Sequence, residues 1–240
     1  MAIRRPSIAR LPWVQADSEE ALPGLGGPTP VLPVIDQQLT QMFALVSEAI
    51  AGATHSLLTG DREAAKAIVA ADERIDEIAV ALTFIVEEAL IGSGRSAEER
   101  RELIAVGRIL PEIERNGDLA EHIARRAARG LGQEISARAR GLVERMGEVA
   151  GSIWSMTAEV ASSRSPMDAG VVEDLDDELD DLHVTLIAEV SSGSMPLPVA
   201  IELAMVARFY ERFGDHAVNL ARRMAMVTGG PVAPPTGGAD

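Results

Sequence analysis

The chain has 240 residues, of which 47% are hydrophobic and 25% are charged, as is typical of a globular protein with one or two domains. Its net charge of −15 disfavours binding to nucleic acid or to anionic lipid, because both are themselves negatively charged. The absence of cysteine excludes disulfides, thiolate metal sites and cysteine nucleophiles, so any bound metal would have oxygen or histidine ligands.

The two ends of the chain differ from its middle. Residues 1–33 and 229–240 are rich in proline and glycine and lack hydrophobic periodicity, which predicts a disordered N-terminal extension and a disordered C-terminal tail. No apolar run of signal-peptide length follows the N-terminal arginines, and nowhere do about eighteen apolar residues run without interruption. A cytoplasmic protein is therefore expected.

Between these ends, apolar residues recur at the spacing of an amphipathic helix, and strand-like alternation is absent. Five breaks rich in glycine, serine or proline separate six segments of roughly 23 to 33 residues. The breaks are LTGD (58–61), IGSGRS (91–96), RGLGQ (129–133), SSRSP (162–166) and SSGSMP (191–196). Long helices joined by short connections predict an antiparallel all-α bundle.

The third helix carries two local signals. Ser96 followed by Glu99 is a capping-box pattern and predicts that the helix begins there. Pro111 falls inside the same helix, where it removes an amide donor and crowds the carbonyl of Gly107, at a cost of about 3 kcal/mol. A kink near Pro111 is therefore expected.

Two stretches of the chain are nearly alike. LPEIERNGDLAEHIARR (110–126) and ARFYERFGDHAVNLARR (207–223) match at eight of 17 positions without a gap. A weaker match relates DERIDEIAV (72–80) to DDELDDLHV (176–184). The body is therefore predicted to be two tandem three-helix bundles related by an internal repeat, over residues 34–131 and 132–228.

The repeated stretches carry pairs of acidic residues four positions apart, which share a helix face with Cβ atoms about 5 to 6 Å apart. Two like charges at this distance repel each other, whereas a bound hard cation such as Mg²⁺, Mn²⁺, Ca²⁺ or Fe³⁺ would attract both. We therefore predict metal ligands on the second and third helices of each repeat: Asp72, Asp76, Glu114, Asp118, Asp176, Asp180, Glu211 and Asp215. Solvated surface pairs are the alternative interpretation, and Glu73/Glu77 and Asp177/Asp181 offer the same spacing one residue along.

Gly117 and Gly214 lie three residues after the glutamate of the repeated motif, where glycine costs about 1 kcal/mol relative to alanine in a helix. The missing side chains would let a neighbouring helix, a metal ion or its water approach the backbone. A plain helix crossing would use glycine in the same way.

Two further groups of residues lie near the acidic pairs. The arginines that follow the motif are expected to form ion pairs of little net stability: Arg125, Arg126, Arg222 and Arg223. His122, His183 and His216 lie close in sequence to predicted ligands, but a capped or solvent-exposed position is expected for each.

The pattern of D-x-x-x-D followed by E-R-x-G-D resembles the PhoU family of phosphate-uptake regulators over residues 34–228, and RFYERFGDHAVNLARR (208–223) is similar to the family's signature. The first copy departs from that signature at Pro111 and Asn116. The resemblance implies that the carboxylate motifs bind metal ions, with magnesium, manganese, iron or zinc as candidates.

The same resemblance implies a non-enzymatic adaptor that couples a phosphate transporter ATPase to a sensor histidine kinase. Such a protein represses phosphate uptake and the phosphate-starvation response when phosphate is ample. It would meet the membrane only through its partners, and it could form a homodimer.

Two other classes of protein share parts of this pattern. A carboxylate-bridged di-metal protein of the ferritin-like class needs Glu-x-x-His on two helices, and only Asp180-x-x-His183 comes near that motif. A helical scaffold without metal would use the acidic pairs only as solvated surface. No Ser-His-Asp arrangement, phosphate-cradling glycine loop or nucleotide motif is evident, so no enzymatic activity is predicted.

Overall fold

The structure is a computed structural model that describes residues 31–163 and 169–227. Within these ranges the chain forms six long α-helices and no strand. The helices are α1 (Val31–Thr59), α2 (Arg62–Ile91), α3 (Ala97–Ala128), α4 (Ala137–Ser163), α5 (Ala169–Ser191) and α6 (Leu197–Val227). The predicted disordered tails lie outside the described residues, except that residues 31–33 begin α1. Most of the predicted break at 162–166 also lies outside them.

Local capping explains where two of the helices begin. The side chain of Asp61 accepts hydrogen bonds from the backbone amides of Glu63, at 3.1 Å, and Ala64, at 3.0 Å, at the start of α2. The capping box predicted for α3 is confirmed, since the Glu99 amide donates to Ser96 Oγ at 3.1 Å and the Ser96 amide donates to Glu99 Oε2 at 2.7 Å.

The six helices pack as two units of three. α1, α2 and α3 contact one another, as do α4, α5 and α6, and the units meet where α3 packs on α6 and α1 packs on α4. Consecutive helices that pack together across short connections run antiparallel. The predicted all-α fold of two tandem three-helix bundles is confirmed.

An aromatic cluster joins the two units. Trp154 of α4 is fully buried between Phe43 of α1 and Phe213 of α6, with ring centroids 5.1 and 5.5 Å away. Its indole Nε1 donates a hydrogen bond of 2.9 Å to the carbonyl of Phe43, so its polar atom is satisfied. The cluster therefore ties α1 to the second unit.

By length and composition alone, α1 could span a membrane. Its apolar face is nevertheless buried in the core, including Ile35, Met42 and Val46. Buried core helices of soluble proteins meet the same length criterion, so the criterion is weak support for a membrane span.

The first copy of the repeated motif departs from the second at two positions on α3. The helix continues through Pro111, whose side chain is exposed, and the expected kink stays a prediction. Asn116 is fully buried, and its Nδ2 donates a hydrogen bond of 3.2 Å to the carbonyl of Glu112 one turn earlier. Neither residue interrupts the helix that carries the motif.

Candidate metal centres

The first acidic cluster lies where α2 packs on α3. Asp72 and Asp76 of α2 and Asp118 of α3 each place one carboxylate oxygen within 4.8 Å of the other two. Among the residues that the structure describes, no other three acidic or histidine side chains come together so closely. Oxygen atoms at this separation could contact a single hard cation.

Asp72 and Asp118 are partly buried, Asp76 is exposed, and the carboxylates of the cluster repel one another. Burial raises the pKa of Asp72 to about 7, and the negative charge of Asp76 adds to this effect. Burial also raises the pKa of Asp76 and of Glu114, and repulsion by Asp118 is the next cause for both. Ionising the cluster therefore costs free energy, and a bound cation would offset that cost.

Glu121 is a further member of the first cluster that the sequence did not indicate. Its negative charge raises the pKa of Asp72 and of Asp76. Its side chain is only 7% exposed and forms an ion pair with Arg125. Its position three residues after Asp118, on the same helix face, could have indicated this role. The repeat alignment did not, because the equivalent position in the second repeat is Val218.

The second acidic cluster lies in the equivalent place between α5 and α6. Burial raises the pKa of Asp176 to about 6, and repulsion by Asp215 is the next cause. Burial raises the pKa of Asp180 as well, again with Asp215 as the strongest neighbouring charge. The second repeat therefore also places Asp215 of α6 near the aspartate pair of α5, but without the close grouping of three carboxylates found among the described residues of the first repeat.

Glu211 gives the second cluster a feature of its own. Burial raises its pKa, and an ion pair with Arg208 opposes the shift. Its Oε2 atom is buried and has no hydrogen-bond partner in the described part of the chain. A buried carboxylate oxygen without a partner is costly, and a hard cation is a suitable ligand for it. The second cluster thus offers carboxylate oxygens that suit a hard cation, but among the described residues only the first cluster has three such side chains with ligand atoms within 4.8 Å of one another.

The two motif glycines allow the close approach of the helices that carry the clusters. A Cβ atom on Gly117 would lie 3.1 Å from Ile75 Cδ1 and 3.3 Å from Asp72 Oδ1. At Gly214 the crowding is greater, with 2.6 Å to Leu179 Cδ2 and 3.1 Å to Asp176 Oδ1. The glycines therefore serve a helix crossing that also brings one aspartate of each cluster against the motif.

The neighbouring acidic residues occupy different surroundings. Asp72 and Asp176 are half-buried, whereas their pair partners Asp76 and Asp180 are exposed. The four residues of the alternative register are all exposed: Glu73, Glu77, Asp177 and Asp181. The predicted arginine ion pairs are confirmed, and they are Arg125 with Glu121, Arg126 with Glu202, Arg222 with Glu173, and Arg223 with Glu112.

The three histidines near the motif divide between two places. His183 lies beside the second cluster, where its charge lowers the pKa of Asp180 and of Glu211. His216 instead places Nδ1 3.0 Å from Glu112 Oε2, across the boundary between the repeats. His122 packs against the ring of Phe209, with the ring centroids 5.1 Å apart. Of these three histidines, His183 is the one whose charge lowers the pKa of predicted metal ligands.

Comparison with known proteins gives concordant results. The PhoU domain profile matches the chain twice, at residues 39–127 and 143–224. The phosphate-specific transport system accessory protein PhoU homolog 1 of Mycobacterium tuberculosis is 34% identical over 200 residues, which cover 80% of this chain and 89% of the relative. The corresponding PhoU homolog of Rhizobium meliloti is 30% identical over 207 residues, covering 82% and 86%. The crystal structure of PhoU from Pseudomonas aeruginosa has the same fold, with a TM-score of 0.75 at 21% identity over 82% of this chain and 96% of that chain.

Proposed function

The chain belongs to the PhoU family, and we propose that it is a metal-binding regulatory adaptor that represses phosphate uptake and phosphate-starvation signalling. It works in the cytoplasm without catalysing a reaction and couples a phosphate transporter ATPase to a sensor histidine kinase. The relatives are accessory proteins of phosphate-specific transport systems, which supports the link to a transporter. The link to a kinase rests on the family resemblance.

The observation that carries the metal-binding part is the pair of carboxylate clusters at repeat-equivalent positions. In the first cluster Asp72, Asp76 and Asp118 would hold the ion, with Glu114 beside them. In the second cluster the corresponding ligands would be Asp176, Asp180, Glu211 and Asp215. Donor sets dominated by oxygen suit magnesium, manganese or iron better than zinc, which more often takes nitrogen and sulfur ligands.

A bound cation would also fix the packing of the helices that a partner recognises. Each cluster combines residues from two helices, so neutralising its charge stabilises the contact between them. A ligand that binds only the folded state stabilises that state by mass action. The metal-loaded bundle is therefore the form that we expect the transporter and the kinase to bind.

Genetic complementation tests this function. We would delete the gene, supply variants at equal protein level, and measure a phosphate-starvation reporter in medium with ample phosphate. The reporter should be high without the protein, low with wild type, and high again with Asp72→Asn/Asp76→Asn. The matched control is Glu73→Gln/Glu77→Gln, which removes the same charge from exposed positions one residue along and should repress normally.

Two outcomes would contradict the proposal in different ways. Normal repression by Asp72→Asn/Asp76→Asn would favour a helical scaffold that needs no metal at the first cluster. If deletion of the gene leaves the reporter unchanged, the proposed role in phosphate signalling is wrong.

A further inference from the structure

A cleft of about 340 Å³ lies between α3 and α6, where the two repeats meet. Its walls combine the apolar side chains of Leu119 and Phe209 with charged and polar ones, which are Arg115, Asp118, His122, Arg208, Arg212 and His216. The whole chain has a net charge of −15, yet this cleft gathers three arginines against one aspartate. Arg115 and Arg208 pair with glutamates, so Arg212 supplies the positive charge that could attract an anion to this concave surface.

Two of these arginines come from the repeated motif. Arg115 and Arg212 are the second residue of E-R-x-G-D in the first and second copies, and both line the same cleft. Both motif arginines lie at the boundary between the repeats, where Asp118 is the one motif carboxylate that also lines the cleft. Metal binding explains why the carboxylates of the motif are repeated, but it does not explain why its arginine is repeated.

The arginines of the cleft are not all engaged within the protein. Arg115 contacts Glu112 at 3.3 Å, and Arg208 pairs with Glu211. Arg212 is exposed and has no ion-pair partner within residues 31–163 and 169–227. No other side chain in the described part of the chain competes with a ligand for its guanidinium group.

Buried groups behind the cleft hold two of its side chains in place. The Glu112 side chain is 8% exposed and contacts His216 Nδ1 at 3.0 Å as well as Arg115. Arg223 also contacts Glu112, at 3.1 Å, so this carboxylate is surrounded by positive or donor groups. Side chains fixed in advance lose less conformational entropy when they bind a ligand.

One histidine on the wall of the cleft has a polar atom without a partner within the described ranges. The Nδ1 atom of His122 is buried and has no hydrogen-bond partner in the described residues. The ring is held against Phe209, so it cannot easily turn to find one. Buried polar atoms without partners are uncommon and call for an explanation.

The chemistry of the cleft selects the class of ligand. Arginine forks match the oxygens of carboxylate and phosphate groups, and a cleft lined by three arginines favours the group with the larger charge. A phosphate group carries close to two negative charges near neutral pH. We propose that this cleft binds a phosphate group, either as inorganic phosphate or as the phosphate ester of a small molecule.

Such a site would let the adaptor respond to phosphate itself. It extends the proposed function, but it does not depend on metal binding, because it uses the motif arginines rather than the motif carboxylates. Asp118 is the one residue shared between the cleft and the first cluster.

Isothermal titration calorimetry on the full chain tests the proposal. Inorganic phosphate and AMP are titrated separately in buffer free of sulfate and phosphate, with the protein as purified and after chelation. We expect binding of at least one of them in both preparations, with Arg212→Gln weakening Kd about tenfold. The matched control is Arg101→Gln, an exposed arginine roughly 20 Å away along α3, which should leave Kd unchanged.

The two ligands distinguish the source of the phosphate group. Tighter binding of inorganic phosphate supports a sensor of free phosphate, and tighter binding of AMP supports a site for a phosphate ester. Absence of binding by either ligand overturns the proposal, as does equal weakening by Arg212→Gln and Arg101→Gln. Binding that chelation abolishes would assign the phosphate to a metal ion instead, which also overturns the proposal while supporting metal binding.

Discussion

The two acidic clusters use the same motif but neutralise its charge differently. In the second repeat, Arg208 lies three residues before Glu211 and pairs with it on the same helix. In the first repeat, Pro111 occupies the position equivalent to Arg208, so Glu114 lacks this neighbouring cation. Because position 111 is proline, no arginine competes there with a metal ion for the carboxylate of Glu114.

Two other positions widen the difference between the clusters. Glu121 adds a carboxylate to the first cluster, where the second repeat has Val218. His183 adds a basic group to the second cluster, where the first repeat has Ala79. The first cluster is thus the more negative of the two.

The titration of the half-buried aspartates follows this difference. The pKa of Asp72 is raised to about 7, and that of the equivalent Asp176 to about 6. Burial is the first cause for both, and like charges add to it. A sequence repeat therefore does not imply equal sites, and we expect the first cluster to bind cations more tightly.

Removal of metal should have the largest effect. Chelation is expected to lower the Tm of the wild-type protein by on the order of 5–10 °C, as for a ligand present at about 100 times its Kd. The variant Asp72→Asn/Asp118→Asn should lose most of this response to chelator, and Asp176→Asn/Asp215→Asn should keep most of it. Differential scanning fluorimetry measures both. Equal responses of the two variants would contradict the ranking of the clusters.

Substitution of the motif glycines by alanine should destabilise the protein to different degrees at the two helix crossings. Gly214→Ala places a Cβ atom 2.6 Å from the buried Leu179 side chain, whereas Gly117→Ala meets Ile75 at 3.1 Å. The helix propensity of alanine, about 1 kcal/mol above glycine, offsets part of the clash in each variant. Gly214→Ala should therefore unfold at lower urea concentration, with a free energy of unfolding about 1 kcal/mol below that of Gly117→Ala. The reverse order would show that the second crossing is the looser one.

Substitution of Pro111 tests whether the absence of a positive charge at this position favours metal binding by Glu114. Pro111→Arg gives Glu114 an arginine three residues before it, as Arg208 does for Glu211, and should weaken metal binding at the first cluster roughly fivefold. Pro111→Gln is the matched control, because it restores the helical amide without adding charge. Metal titration followed by equilibrium dialysis reports the affinity. A similar loss in both variants would assign the effect to the backbone of α3 rather than to charge.

The smallest expected effect is the pH dependence of the metal-free protein. Because folding raises the pKa of Asp72 above its unfolded value, the native state holds this proton more tightly. The resulting stability is fully present below about pH 4 and is lost as the pH rises through about 7.

Comparing the wild-type protein with Asp72→Asn, both in the presence of chelator, isolates the contribution of Asp72 to the pH dependence of stability. Raising the pH from 4 to 8 should lower the Tm of wild type relative to the variant by about 1–3 °C, a small shift because solvent screens a half-exposed group. For Asp176→Asn the equivalent loss should end near pH 6. A relative Tm that rises with pH would reverse the assigned direction of the pKa shift.

Much of the fold was predictable because it depends on local signals. Hydrophobic periodicity and glycine-rich breaks indicated six helices, and Ser96 with Glu99 indicated the start of α3. The ion pairs of the arginines after each motif also followed from short-range charge patterns.

The features that could not be predicted depend on contacts between helices. Glu121 joins the first cluster only because α2 packs close to its turn of α3. The repeat alignment gave no sign of this role, because the equivalent residue of the second repeat is Val218. The cleft needs Arg115 and Arg212 from different repeats, and spacing within one helix carries no information about that contact.

Metal analysis by mass spectrometry is the most direct test of the central claim that the motif carboxylates bind metal and that the first cluster binds it more tightly. The protein is purified without chelator or affinity metal, beside Asp72→Asn/Asp118→Asn and Glu211→Gln/Asp215→Asn. We predict stoichiometric metal in the wild type, a large loss in the first variant and a smaller loss in the second. Trace metal in all three proteins, even after exposure to manganese, iron and magnesium, would contradict the claim and assign the carboxylate pairs to the solvated surface.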